Sequence, residues 1–252
     1  MLNMIAHGTP TDLPKLLIAH GLYGSGRNWG VIAKRLADAR EVIAVDMRNH
    51  GYSPWTESHS YPDLAEDLAE VIAARGGRMD VVGHSMGGKA AMMLALSRPE
   101  MVNRLVVADI APVSYSHTQA HFITAMRSVA LNNVTRRSDA QAQLAAAGVD
   151  PLLQSFFTQS LDVEAQQWRL NLDTLEREMP HILAFPEVEA QFAGPVLFLT
   201  GSQSDYVQPE HRDRIKRLFP KARFARIPGA GHWLHAEKPR EFEAAVRAFL
   251  TA

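Results

Sequence analysis

The chain contains no cysteine. That excludes disulfides, a thiolate nucleophile, a cysteine-ligated zinc and an iron–sulfur cluster. It also lacks an excess of either charge: 26 Lys+Arg stand against 27 Asp+Glu, a formal net charge of −1. Such balance leaves no electrostatic footprint for nucleic acid or an anionic membrane surface, so neither partner is expected. Long apolar runs are missing as well. None exceeds about seven residues, too short to cross a bilayer. Met1–Asp12 has no basic stretch leading into an apolar one, so no targeting segment is read and a cytoplasmic location is expected. What remains is an ordinary globular composition, 46% hydrophobic and 21% charged over 252 residues. A nucleophilic enzyme made from it must use oxygen or nitrogen.

Short apolar runs recur along the chain: Leu16–Ala19, Val42–Val45, Val81–Val82, Leu105–Ala108 and Val196–Leu199. They are β-branched or Leu-rich and bounded by polar residues or Gly, as strands covered on both faces are. Ala222–Ile227 reads as the last strand. Between them Leu64, Leu68, Val71 and Ile72 fall on one helical face, and Phe242, Val246, Phe249 and Leu250 repeat that spacing. Ala90–Leu96 is apolar all round, so its helix should be central. The alternation predicts an α/β fold with a mostly parallel sheet and helices on both faces. It breaks between about Pro112 and Phe192. There Gln141–Ala147 and Glu164–Arg177 are helix-prone and no strand stands out. We therefore expect a core from residues 1–111 and 193–252, with a helical cap, 112–192, inserted.

Gly83-His84-Ser85-Met86-Gly87 follows one strand and precedes the central helix. A serine on so sharp a turn sits in strained backbone, and residues two places away must lack bulk. Its oxygen is then exposed at a helix N-terminus, where developing negative charge is favoured. An oxyanion hole needs two N–H groups aimed at one point. Met86 can supply one, and Leu22, in the turn His20-Gly21-Leu22-Tyr23-Gly24 after the first strand, the other.

These motifs make the sequence resemble an α/β-hydrolase, in particular the YbfF-type bacterial esterases and the ABHD11-like proteins. The likeness also rests on Asp46–Ser53, Gly83–Lys89, Asp109–Val113 and Gly229–Pro239, which together span nearly the whole chain. It implies hydrolysis of acyl esters or thioesters, with no cofactor.

A serine hydroxyl needs a neighbouring base, and eleven histidines compete for the role. His7, His59, His117, His121 and His211 read as surface residues. His20 and His84 shape the glycine turns, His50 reads as structural, and His181 has no evident task. His232 differs: it lies in a small-residue loop after the last strand, where the resemblance places the base. His235, three positions on, is its comparator, and no third ligand accompanies the pair, so no metal is expected. The orienting carboxylate is Asp109, ending the strand beside the nucleophile's, or Asp205, in the next loop. The wider superfamily usually places its acid three residues before a Val, where Ser204 precedes Val207 here. The YbfF-like pattern moves it to Asp109.

Other residues have both a plain and a functional reading. Asp46 and Arg48 read as a structural salt bridge and turn, and Lys89 as a buried stem with a solvated tip. Trp233, Phe122, Phe156, Phe157 and Trp168 are candidates to wall an acyl pocket. Arg127, Arg136, Arg137 and Arg169 are candidates to face an anionic tail such as a coenzyme A phosphate. His20, Trp233, Trp168 and Arg169 are taken forward as substrate-binding candidates. The expected substrate is a small acyl ester or thioester with a short to medium acyl group, and the expected state a monomer or small homo-oligomer. A C–C bond hydrolase without cofactor, or a ligand-binding sensor on the same architecture, is the competing reading.

Overall fold

The computed structural model describes residues 1–116 and 118–252. His117, read as a surface histidine, lies outside them. The first half alternates strand and helix: β1 (Met4–His7), β2 (Leu16–Ala19), α1 (Gly30–Leu36), β3 (Val42–Val45), α2 (Tyr61–Ala74), β4 (Met79–His84), α3 (Met86–Ser97) and β5 (Val102–Ala108). After β5 come α4 (Ala120–Arg127), α5 (Arg137–Ala146), α6 (Pro151–Thr158), a hairpin of β6 (Leu161–Asp162) and β7 (Gln167–Trp168), α7 (Leu172–Arg177) and α8 (Met179–Leu183). The chain then returns through β8 (Val196–Gly201), α9 (Arg212–Leu218), β9 (Ala222–Ile227), α10 (Leu234–Glu237) and α11 (Pro239–Thr251).

The seven-stranded sheet runs β1-β3-β2-β4-β5-β8-β9, and only β1 is antiparallel to its neighbour. Each central strand is apolar on both sides. Leu17, Ala19, Val81 and Val107 pack toward α2 and α3, while Leu16, Ile18, Val82 and Val106 pack toward α1 and α11. The period of two divides each run between two cores, which is why it reads as a continuous apolar segment. α3 is buried almost throughout, as its all-apolar sequence predicts. Among the described residues no helix is long and apolar enough to cross a membrane.

Two elements depart from the expectation. β1 pairs with β3 from Met4↔Val45 to His7↔Val42. It is only half-buried at the sheet edge, and its apolar run, Met4–Ala6, is one residue shorter than those of β2 and β3. The helix expected over Glu164–Arg177 is a turn, a strand and one short helix instead. The Asp162 carboxylate accepts the Ala165 N–H at 3.0 Å and Gln166 adopts φ +51°, which closes the hairpin. Asn171 then caps α7 by accepting from the Thr174 N–H at 3.4 Å. Local side-chain bonds to backbone override the helical propensity here.

Candidate active site

Ser85 lies between β4 and α3 with φ +51° and ψ −119°. A non-glycine residue there stores strain that its surroundings must hold. The glycines on either side have no room for a side chain. A Cβ on Gly83 would press into the Gly87 carbonyl, and one on Gly87 would lie 2.5 Å from the His20 carbonyl oxygen. The Ser85 N–H is tied to the Ala108 carbonyl at 3.1 Å. One residue beyond, at the end of β5, Asp109 also takes a positive φ, +52°. Two strained residues on adjacent strands thus face the same sheet edge.

His232, 8% exposed, spans the gap between them. Its Nε2 is 3.1 Å from Ser85 Oγ and its Nδ1 2.8 Å from Asp109 Oδ2. With Nδ1 bearing the proton, Nε2 is the lone-pair nitrogen facing the serine. Asp109 is fully buried. Its Oδ1 accepts the Gly201 N–H at 3.0 Å, and Ser204 Oγ donates to its Oδ2. Tyr206 stacks on the His232 ring, centroids 3.8 Å apart, and His84 Nε2 is 2.9 Å from the His232 carbonyl. Asp205 is exposed and takes no part in this chain of hydrogen bonds. Ser204, absent from the sequence-derived candidates, stands three residues before Val207. That spacing was the available signal, and a hydroxyl fills the position where a carboxylate was sought.

The loop after β2 is held by two buried histidines. His20 Nδ1 donates to the Gly21 carbonyl at 2.8 Å, and its Nε2 accepts the Met47 N–H at 2.9 Å. His50 Nδ1 donates to the Arg48 carbonyl at 2.8 Å, and its Nε2 accepts the Tyr23 N–H at 3.1 Å. Each ring uses one donor and one acceptor, which fits a neutral imidazole. Burial lowers the pKa of both. Beside Ser85 lies a cavity of about 30 Å³ whose walls include Leu22, Met86, Lys89, Tyr115, Ile182 and Tyr206. Met86 opens α3, so its N–H has no acceptor within the helix.

The other substrate-binding candidates lie elsewhere. His20 spends both nitrogens on backbone and is not in the cavity wall. Trp168 is buried and donates from Nε1 to the Met126 carbonyl at 2.9 Å. Trp233 packs edge-on against His232, centroids 5.2 Å apart, outside the cavity. Arg169 is paired with Asp162 and lies over the Tyr52 ring, in a separate cleft shared with Arg137. Phe122 and Phe157 pack with Tyr23, and Phe156 with Phe157. Arg127 is taken by Asp173 and Glu176, and Arg136 by Asp139. Arg48 grips Asp67 through Nε and Nη2, not Asp46, whose carboxylate instead accepts the Gly26 and Tyr52 N–H groups at 2.8 and 2.9 Å.

Two readings need correction. His59 is buried, not superficial: its Nδ1 is 3.2 Å from Asn49 Nδ2 and its Nε2 3.1 Å from Met86 Sδ. Desolvation brings its pKa down to about 3. The Lys89 tip is not solvated. Nζ donates to the carbonyls of Leu183 at 2.8 Å and Ala184 at 2.7 Å.

A profile of the alpha/beta hydrolase fold family matches residues 14–239. The chain is 43% identical over 250 residues to the sn-1-specific diacylglycerol lipase ABHD11 of Mus musculus, covering 94% of this chain and 81% of that one. It is 38% identical over 243 residues to esterase YbfF of Escherichia coli strain K12, covering 93% and 92%. Among solved structures, a marine microorganism esterase superposes with a TM-score of 0.92 at 36% identity, covering 98% of each chain.

Proposed function

The chain belongs to the α/β-hydrolase family and is an enzyme of its esterase and lipase kind, and from that premise we propose that it cleaves acyl esters or thioesters through an acyl-enzyme on Ser85. The observation that carries the reading is the unbroken chain from Ser85 Oγ through His232 to Asp109. Ser85 Oγ attacks the acyl carbonyl while His232 Nε2 takes its proton. The N–H groups of Leu22 and Met86 hold the oxyanion. His232 returns the proton to the departing alcohol or thiol. It then takes one from water, whose oxygen attacks the acyl carbon and releases the acid and Ser85. Asp109 keeps the proton on Nδ1 and stabilises the imidazolium. Ser204, bonded to Asp109 but not to the reacting atoms, is a positioning residue.

Residues 112–192 act as the cap over a core formed by 1–111 and 193–252. Tyr115, Gln119, Ile182 and Leu183 bring the cap to the cavity. A cavity of about 30 Å³ supports a short to medium acyl preference. The experiment is a p-nitrophenyl ester series from acetate to palmitate with acyl-coenzyme A comparators. We expect kcat/KM to peak at short or medium chains. A steady rise to palmitate contradicts the preference, and no turnover of any member contradicts the hydrolase.

A further inference from the structure

Lys89 is a charged side chain built into the wall of the reaction cavity, and the proposed mechanism gives it nothing to do. It lies in the first turn of α3, where its N–H donates to the Ser85 carbonyl at 3.0 Å. The side chain is 1% exposed. Among the described residues no carboxylate pairs with it. Two of its partners are the carbonyls of Leu183 and Ala184, where the cap chain leaves α8. The Tyr115 and Tyr61 rings face Nζ at 4.8 and 5.5 Å. Desolvation brings the ammonium down to about 7, so burial without a counter-charge is costly here.

We propose that Lys89 determines acyl specificity, its Nζ selecting acyl groups that carry an oxygen acceptor over plain alkyl chains of the same length. The inference rests on Ser85 being the acyl-accepting nucleophile. An ammonium has three donors, and two carbonyls use only two of them. The third is left to the aromatic faces and the cavity. A methylene chain laid beside Nζ displaces water from a cation and returns no acceptor. A hydroxyl, keto or carboxylate oxygen at that point takes a charge-assisted hydrogen bond instead. Ser85 and Lys89 line the same cavity, so an oxygen a few carbons along the acyl chain is the acceptor to be placed within it. A purely structural tie to the cap would not require the amine to line the same cavity as the nucleophile.

The test compares matched p-nitrophenyl esters on the full chain: butanoate with 3-hydroxybutanoate, and pentanoate with 4-oxopentanoate. Each rate is normalised to that ester's hydroxide hydrolysis. For wild type we expect kcat/KM to favour an oxygenated member by about tenfold or more. Lys89→Met should bring that ratio to about one, and Lys89→Arg should keep it above one. Because each ratio is taken within one preparation, a loss of folded protein cancels. If Lys89→Met does not fold, the wild-type ratio decides alone. Equal or lower rates for both oxygenated esters on wild type overturn the inference, as does an unchanged ratio in Lys89→Met. In those cases alkyl ester hydrolysis would still stand, whereas turnover of none of the four esters would remove the hydrolase reading itself.

Discussion

His232 Nδ1 lies 2.8 Å from Asp109 Oδ2, although the two residues are 123 positions apart. The carboxylate stands at the end of β5, next to the strand that carries Ser85. It therefore reaches His232 along the sheet edge rather than from the loop after β8. The last residue of β8, Gly201, contributes a backbone N–H and the loop after it a hydroxyl, Ser204, which both point at the same carboxylate.

Ser204→Ala removes one hydrogen bond to a buried carboxylate and leaves the Gly201 N–H in place. Hydrogen bonds to charged groups contribute about 1.5–3 kcal/mol. We expect kcat to fall on the order of tenfold with KM little changed, and Ser204→Thr to recover part of the loss. Steady-state kinetics on a short-chain ester checks this. A kcat equal to wild type would show that the hydroxyl does not help to hold Asp109.

Gly87→Ala introduces a Cβ against the backbone oxygens of Ala19, the end of β2, and His20, directly after it, which cannot yield as a side-chain end could. Overpacking of this kind costs about 1–3 kcal/mol. The turn that carries Ser85 should shift, so fluorophosphonate labelling of Ser85 should slow while thermal unfolding moves to lower temperature. Labelling at the wild-type rate would mean that the turn tolerates the extra carbon.

Burial lowers the pKa of His20, His50, His59, His84 and His235, with His59 and His235 at about 3. In the unfolded chain these imidazoles return to about 6.5. Below that pH the unfolded state binds more protons than the folded one, so stability falls with pH. The loss begins near pH 6.5 and continues until each folded-state pKa is passed. Each histidine adds up to about 1.4 kcal/mol per pH unit. Urea midpoints should therefore hold near pH 7.5 and drop steeply between pH 6.5 and 5. A flat midpoint over that range would contradict neutral burial of the five rings.

The central strands, α3 and the glycine turn were legible because each rests on local pattern: apolar runs, an all-apolar helix, glycines flanking a serine. His232 stood out because its loop follows the last strand and because the resemblance places a histidine there. What escaped depends on distant partners. Ser58 and Ser60 make His59 look superficial, yet both hydroxyls turn to Asp63 and the imidazole goes inward to Asn49 and Met86. The solvated tip expected of Lys89 failed because the cap returns two carbonyls to it, 94 and 95 residues away. Asp109 and Asp205 could not be separated by local pattern, since both end near a strand at the same edge. The resemblance favours Asp109, and its carboxylate is the one within hydrogen-bond reach of His232.

Measuring kcat for Asp109→Asn and Asp205→Asn tests most directly which carboxylate orients His232. A triad that loses its orienting carboxylate holds the base in the wrong tautomer, at a cost on the order of 10⁴-fold. Asp109→Asn should show a loss of that order, and Asp205→Asn, exposed and outside the hydrogen-bonded chain, should remain near wild type. The reverse pattern, with Asp109→Asn active and Asp205→Asn crippled, would contradict Asp109 as the orienting acid.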